Sequence, residues 1–377
     1  MSDHLYYSIL YSVIGDIIGY GNGDVEFNYG QDMTVKNQKD IEKLSGFSTL
    51  HINNFISNGS LNNYNFKNYI VSDDTILILA VLNGLIESKN KNEDIIVSYI
   101  KKSMISYYQK DDKIKLRNYG LRTIKSFNKI IANDDSNSFI YSSNAGGSGA
   151  SMRCMPIGLI YYGEHNREKL IYISIMSSLI THANPIGFLG GLASALFTAY
   201  AIEKIDPNLW PSNLLKILNS KYLKSIIDIF IDKNIKKKKN IIHDIQQFKV
   251  WWKTYILFRF EKKKFLHNSE NNQISSSMRY FDIRSRFYYD NFTNKKNFNP
   301  GSNGCDSVII AYDCFMDSKS FYSLIFYSML HSGDSDTTGC IAGAFYGAYH
   351  GNIDKLNINK LNIEKINTIE TLFNKII

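Results

Sequence analysis

The stretch FLGGLASALFTAYAIEKI, Phe188 to Ile205, decides the fold class of this chain. Gly190, Gly191, Ala193, Ala195, Ala199 and Ala201 interleave there with leucines and phenylalanines. The apolar positions follow a helical period and leave little polar face, the pattern of a helix covered on all sides. Small residues at this density let neighbouring helices approach closely. The stretch therefore reads as a buried central helix.

Working outward, DTILILAVLNGLIES from Asp74 and REKLIYISIMSSLITHA from Arg167 have the same helical character. Only five prolines occur among 377 residues, and β-branched alternation is rare. These features predict an all-α chain with one domain over 1–377. Hydrophobic residues make up 44% of the sequence, enough for a large core. No apolar run reaches bilayer length by this reading, and MSDHLYYSIL lacks a charged region before its apolar residues. A soluble, cytoplasmic protein with no membrane partner is expected, with a monomer as the expected state. Cys154, Cys305, Cys314 and Cys340 show no CxxC spacing, so neither zinc nor a disulfide framework is signalled.

The net charge of +8 is concentrated in Lys/Asn-rich segments, above all NIKKKKN at Asn234 to Asn240. Without interleaved aromatics or a nucleic-acid motif, such a run predicts a solvated loop and no nucleic-acid partner. Surface insertions are expected near 233–240 and 290–300. Polar segments also occur at NYGQDMTVKNQKD near the start and NSENNQISSS around Asn268. The biased tail 352–377 still offers Leu356, Leu361, Ile363 and Ile366 for an apolar helix face.

Four segments concentrate Gly, Asp and hydroxyls between apolar helices: GDIIGYGNGDVEFN (Gly15–Asn28), VSDDT (Val71–Thr75), AGGSGASMRCMPIG (Ala145–Gly158) and HSGDSDTTGC (His331–Cys340). Singly, VSDDT or DSDTT reads as a helix N-cap. As a pair they place four carboxylates with nothing basic beside them, which would repel unless cations held them together. An all-oxygen ligand set selects Mg²⁺ before Ca²⁺ or Mn²⁺, and the absence of nearby His or Cys argues against zinc. DSDTT also fits the D-x-D-x-T nucleophile motif of haloacid-dehalogenase-like phosphatases. That reading fails on position, because only a short Lys/Asn-rich tail follows it. GGSGASMR lacks a P-loop lysine; its glycines either let backbone N–H groups approach an anion or form a turn. Arg153 reads equally as an anion anchor or as a partner for an acid. His182, at a helix entrance, reads as structural or as a pocket residue. Glu26, between Val25 and Phe27, reads as a partly buried general acid or base.

These segments together resemble the ADP-ribosylglycohydrolase family, and most closely its ADP-ribosylarginine hydrolase branch. The pieces GDIIGYGNGDVEF, VSDDT, GGSGASMRCMPIGL, THANPIGFLGGLASALFTAYA, GSNGCDSVIIAYD and HSGDSDTTGCIAG follow the family's order from Gly15 to Gly343. The resemblance implies a compact orthogonal helical bundle with a central dimetal site. It implies two Mg²⁺ ions, with Ser72, Asp73 and Asp74 in one ligand cluster and Asp334, Asp336 and Thr337 in the other. Glu26 matches an active-site glutamate, with Asp73 and Asp74 as further catalytic candidates. Gly146, Gly147, Ser148, Gly149, Ala150, Ser151 and Met152 match the part lining the diphosphate and distal ribose, and His182 matches a pocket histidine. Ser302, Asn303, Gly304 and Asp306 match a loop closing over the ligand. Ser148 departs from the cysteine or asparagine common in relatives. RFYYDNFTNKKNFNPGSNG is longer and more basic than the family pattern, which bears on the acceptor.

The function implied is Mg²⁺-dependent cleavage of the N-glycosidic bond between ADP-ribose and arginine side chains. ADP-ribosylated proteins would be the substrates and ADP-ribose the product. The alternatives are the same chemistry on serine-linked ADP-ribose, poly(ADP-ribose) or O-acetyl-ADP-ribose, and a non-catalytic ADP-ribose-binding protein.

Overall fold

The computed structural model describes residues 2–28, 49–132, 139–261, 299–355 and 361–376. Most of NYGQDMTVKNQKD, all of NSENNQISSS, most of the insertion near 290–300, and Leu356 lie outside the described residues. Among the described residues there are helices and no β-strand; one isolated bridge joins Gly147 to Asn303. The chain is all-α.

The helices used below are α1 (Ser2–Tyr20), α2 (Asp73–Glu87), α3 (Glu93–Lys110), α4 (Leu121–Ile131), α5 (Arg167–Leu179), α6 (Pro185–Ile202), α7 (Lys238–Ile256), α8 (Asp306–Asp317), α9 (Ser335–His350) and α10 (Ile366–Phe373). α6 contains the central stretch, and every residue from Pro185 to Ala201 is buried. It packs on α5, α7, α8 and α9. By length and composition α6 is apolar enough to cross a membrane, which the sequence reading did not expect of any segment. Its burial inside the bundle accounts for that composition.

The most extensive helix pair is α1 against α9, which are more than 300 residues apart in the chain. A methyl group on Gly15 would run into the Gly339 carbonyl, and one on Gly343 would meet that of Tyr11. Glycine at these positions lets the backbones touch and brings Asp16 beside the start of α9.

Two segments differ from their sequence-based reading. Lys236–Lys239 are exposed, but they lie in a 3₁₀ turn and the first turn of α7 rather than in a loop. Lysine has good helix propensity, and the apolar Ile241, Ile245, Phe248 and Trp252 downstream anchor the helix it opens. In the tail the helix begins only at Ile366, with Ile369, Leu372 and Phe373 as its buried face; Ile363 is buried just ahead of it.

Candidate active site

Two helix N-termini, those of α2 and α9, meet at one cavity of about 340 Å³. At α2, Ser72 is the N-cap: its Oγ accepts from the Asp74 amide at 3.1 Å. Asp16, from α1, takes two more amides of that turn, and the Asp73 amide donates to the Arg117 carbonyl at 3.1 Å. The Asp16 carboxylate accepts from Ser72 N at 3.1 Å, from Thr75 N at 3.2 Å, and from the Thr75 hydroxyl. With capping met by Ser72, Asp16 and the Arg117 carbonyl, the Asp73 and Asp74 carboxylates are left to line the cavity.

At α9, Asp334 holds the N-cap position but makes no side-chain capping bond. Its carboxylate accepts instead from Ser148 Oγ at 3.0 Å, which ties the acid to the glycine loop. Thr337 Oγ1 donates to Asp74 Oδ2 at 3.0 Å, joining the two acid clusters directly. His331 is fixed as the Nε2–H tautomer: its Nδ1 accepts from the Gly333 amide at 3.0 Å and its Nε2 lies 2.7 Å from Thr338 Oγ1. Burial holds that ring neutral, down at about 4.

Glu26 reaches the cavity from the turn after α1, with Asn118 Nδ2 donating to its Oε2 at 3.0 Å. The turn is pinned by Phe27, whose amide donates to Gly333 O at 3.0 Å. One carboxylate oxygen each from Glu26, Asp334 and Asp336 can be chosen so that all three lie within 4.8 Å of one another.

Asp16, Asp73, Asp74, Asp334 and Asp336 are each at most 6% exposed. Among the described residues, no lysine, arginine or histidine forms an ion pair with any of them or with Glu26. Burial first, and then mutual repulsion, drives their carboxyls upward: Asp73 to about 8, Asp334 to about 7, and Asp74, Asp336 and Glu26 well above the ordinary range. The two helix N-termini supply only partial positive charge to offset this. Uncompensated buried carboxylates beside serine and threonine hydroxyls form a donor set of hard oxygens, the chemistry that suits Mg²⁺ or Ca²⁺. Asp73, Asp74, Asp334, Asp336, Thr337 and Glu26 line the cavity and could hold such ions; Ser72, whose Oγ accepts from the Asp74 amide, adjoins them without lining it.

The rest of the lining has a different character. Gly147, Ser148, Gly149 and Met152 belong to it, with His182 and Ser302. The glycine loop is held from outside by Ser148 N donating to Ser302 O at 3.0 Å and Gly304 N to Gly146 O at 2.9 Å. The His182 ring packs where a side chain on Gly149 would sit, and its Nδ1 is 2.7 Å from Thr181 Oγ1. Burial, with Arg153 and Arg122 nearby, keeps His182 well below the usual histidine range, so the ring is neutral. Arg153 neither faces the cavity nor pairs with an acid. It is wholly buried and donates to the Gly149 carbonyl, to Ser177 O and to Thr181 Oγ1, bracing the loop from behind.

Of the other residues singled out in the sequence, Gly146, Ala150, Ser151, Asn303, Gly304 and Asp306 are not part of the cavity lining. Ser151 Oγ contacts Ser307 Oγ at 2.8 Å. Asn303 and Asp306 cap the start of α8 reciprocally: Asn303 N donates to Asp306 Oδ1 at 3.0 Å, and Asp306 N to Asn303 Oδ1 at 3.0 Å.

Three residues of the site escaped the sequence reading. Asp16 lies within GDIIG but carries no signal that it caps a helix 56 residues away. Asn118 and Arg122 belong to a polar loop and helix start, RNYGLRT, with no motif of their own. Arg122 lines the cavity, donating Nε to Thr181 O at 2.9 Å, with no carboxylate partner among the described residues. One cavity is thus lined both by buried carboxylates and by a guanidinium and glycine backbone.

The family model for ADP-ribosylglycohydrolase matches residues 3–373. A protein of Acanthamoeba polyphaga mimivirus that carries the name ADP-ribosyl glycohydrolase L444 is 34% identical over 375 residues, covering 97% of this chain and 68% of that protein. The ADP-ribosylhydrolase ARH1 of Dictyostelium discoideum is 31% identical over 364 residues, covering 91% of this chain and 86% of its own length. A solved structure described as an ADP-ribosylglycohydrolase-related protein complex superposes with a TM-score of 0.58 at 13% identity, covering 99% of this chain and 96% of that one, and it supports the fold. With the match running almost from end to end, the chain belongs to the ADP-ribosylglycohydrolase family.

Proposed function

We propose that this protein hydrolyses the N-glycosidic bond between ADP-ribose and the guanidine of a modified arginine, with two Mg²⁺ ions as cofactor. The observation that carries the reading is the mixed lining of one cavity: buried carboxylates without an ion-pair partner among the described residues, together with Arg122 and the glycine loop. A ligand that carries both a hydroxylated ribose and a diphosphate offers groups for both kinds of lining. The likeness to a relative named ARH1 favours the arginine linkage.

Ser72, Asp73 and Asp74 from α2, with Asp334, Asp336 and Thr337 from α9, would hold the ions. When bound, the ions supply the positive charge that neutralises the acid cluster, holds the ribose hydroxyls and acidifies water. The protein's own groups do the rest. The Gly147–Gly149 backbone and the Arg122 guanidinium hold the diphosphate and fix the sugar in place. Positive charge building on the ribose as the C–N bond breaks faces Asp73, Asp74 and Asp336, which stabilise it. Glu26, oriented by Asn118, handles the proton: the hydroxyl of water ends on the anomeric carbon and its proton on the departing guanidine nitrogen. ADP-ribose and an unmodified arginine are the products.

The test is release of ADP-ribose from matched arginine-linked and serine-linked peptides, side by side, with Mg²⁺ and with chelator. Mg²⁺-dependent release from the arginine peptide at a rate at least about tenfold above the serine peptide is expected. Preferential release from the serine peptide, or equal release in chelator, would overturn the reading. Binding of ADP-ribose without release from either would mark a non-catalytic binder.

A further inference from the structure

The C-terminal segment reaches the active site through a single buried arginine. Arg117 has no exposed surface, and each face of its guanidinium fork is occupied. Nε donates to both oxygens of Asp111 at 2.9 Å. Nη1 donates to the Val71 carbonyl at 2.7 Å and to Glu364 Oε2 at 3.2 Å, and Nη2 donates to Glu364 Oε1 at 3.0 Å. Glu364 Oε2 also accepts the Val71 amide at 2.8 Å. Both backbone polar groups of Val71 are therefore taken by one ion pair, and Val71 immediately precedes Ser72, Asp73 and Asp74.

The same loop touches the site at two more points. The Arg117 carbonyl accepts the Asp73 amide at 3.1 Å, and the next residue, Asn118, orients Glu26. Glu364 lies two residues ahead of α10, which packs against α2 and α1 and buries Ile369, Leu372 and Phe373. Lys113 Nζ adds a third contact to the carboxylate at 3.0 Å, from the solvent side. Removing Glu364 would leave the Val71 amide and part of a buried guanidinium without partners, and the penalty falls on the segment that sets Asp73 and Asp74.

We infer that Glu364, acting through Arg117 and Val71, is a positioning residue that holds the first acid cluster and Glu26 in register, making the C-terminal segment a functional part of the active site. The catalytic half of this statement rests on the proposed hydrolysis; the structural half does not. The substitution Glu364→Gln removes the charge and keeps the size. Ile245→Ala, a core truncation on the remote helix α7, controls for general loss of stability.

In the full chain, amide hydrogen exchange across residues 70–76 should quicken in Glu364→Gln by about tenfold or more, and stay near wild type in Ile245→Ala at matched distance below melting. Turnover of the arginine-linked substrate should fall about tenfold or more in kcat with KM within about twofold, because the acids are displaced while the diphosphate wall is untouched. If Glu364→Gln does not fold, Glu364→Asp, which keeps the charge but withdraws it by one methylene, is read the same way. Exchange at 70–76 no faster than in the control, or unchanged kcat, overturns the inference. Should wild type release no ADP-ribose at all, the proposed function fails, and the exchange measurement alone decides the clamp.

Discussion

Asp16, Ser72 and the Arg117 carbonyl take the amides at the start of α2, and this division of labour leaves the Asp73 and Asp74 carboxylates lining the cavity. Asp74→Asn keeps the shape and removes one negative charge from the cluster. It should lower Mg²⁺-dependent turnover by about 10²-fold or more, measured by ADP-ribose release, while the fold survives because the cap bonds are made by other residues. Arg122→Ala should weaken binding of free ADP-ribose by about tenfold, the worth of a hydrogen bond to a charged group, with Arg122→Lys recovering part of the loss. Calorimetric titration with ADP-ribose and with ribose 5-phosphate separates the diphosphate contribution, and equal affinity of wild type and Arg122→Ala would remove Arg122 from the site. What the sequence made legible at this scale were the residues that come in runs: the two Asp pairs and the glycine loop. Asp16, Asn118, Arg122 and the Arg117–Glu364 pair were hidden because each is an isolated polar residue whose partner is remote in the chain, as far as 247 positions for the last.

Helix contacts between backbones set the positions of these residues. α1 and α9 touch through Gly15, Gly339 and Gly343, so the acid at Asp16 sits beside the acids that open α9. Gly343→Leu would force the helices apart and should cost about 3 kcal/mol, seen as a lower melting temperature together with weaker Mg²⁺-dependent turnover. The buried character of α6 was readable from its glycines and alanines, because a helix that is apolar all round has no solvent face. The helical course of the lysine run was not readable, since its own side chains contact solvent and the anchoring residues lie downstream. Glu364 has its own pH signature. Burial alone would raise its carboxyl, but donation by Arg117, the Val71 amide and Lys113 holds it down at about 2, from an ordinary 4.5. A depressed folded value stabilises the fold above about 4.5 and is lost as pH falls towards 2. Acid titration of stability should therefore be shallower over that window in Glu364→Gln than in wild type, and parallel curves would contradict the pairing.

Over the whole molecule, the helical bundle is built around an electrostatic conflict: buried acids that form no ion pair with a cation among the described residues. Asp73 at about 8 and Asp334 at about 7, against an ordinary 3.8, favour the fold while protonated. That contribution is complete below about pH 4 and is lost as pH rises through 7 to 8. In chelator, the melting temperature should fall between about pH 5 and pH 8, and excess Mg²⁺ should restore more stability at the upper end than at the lower. The family was legible across nearly the whole sequence because the four polar segments keep their order, whereas most of the insertion near 290–300, which the sequence reading linked to the acceptor, lies outside the described residues. The most direct measurement is ADP-ribose release from an arginine-linked substrate by wild type and Asp334→Asn, across a Mg²⁺ titration. The account predicts release that rises with Mg²⁺ in wild type and is lost in the variant at every concentration. Release by wild type that persists in chelator, or a variant as active as wild type, would contradict it.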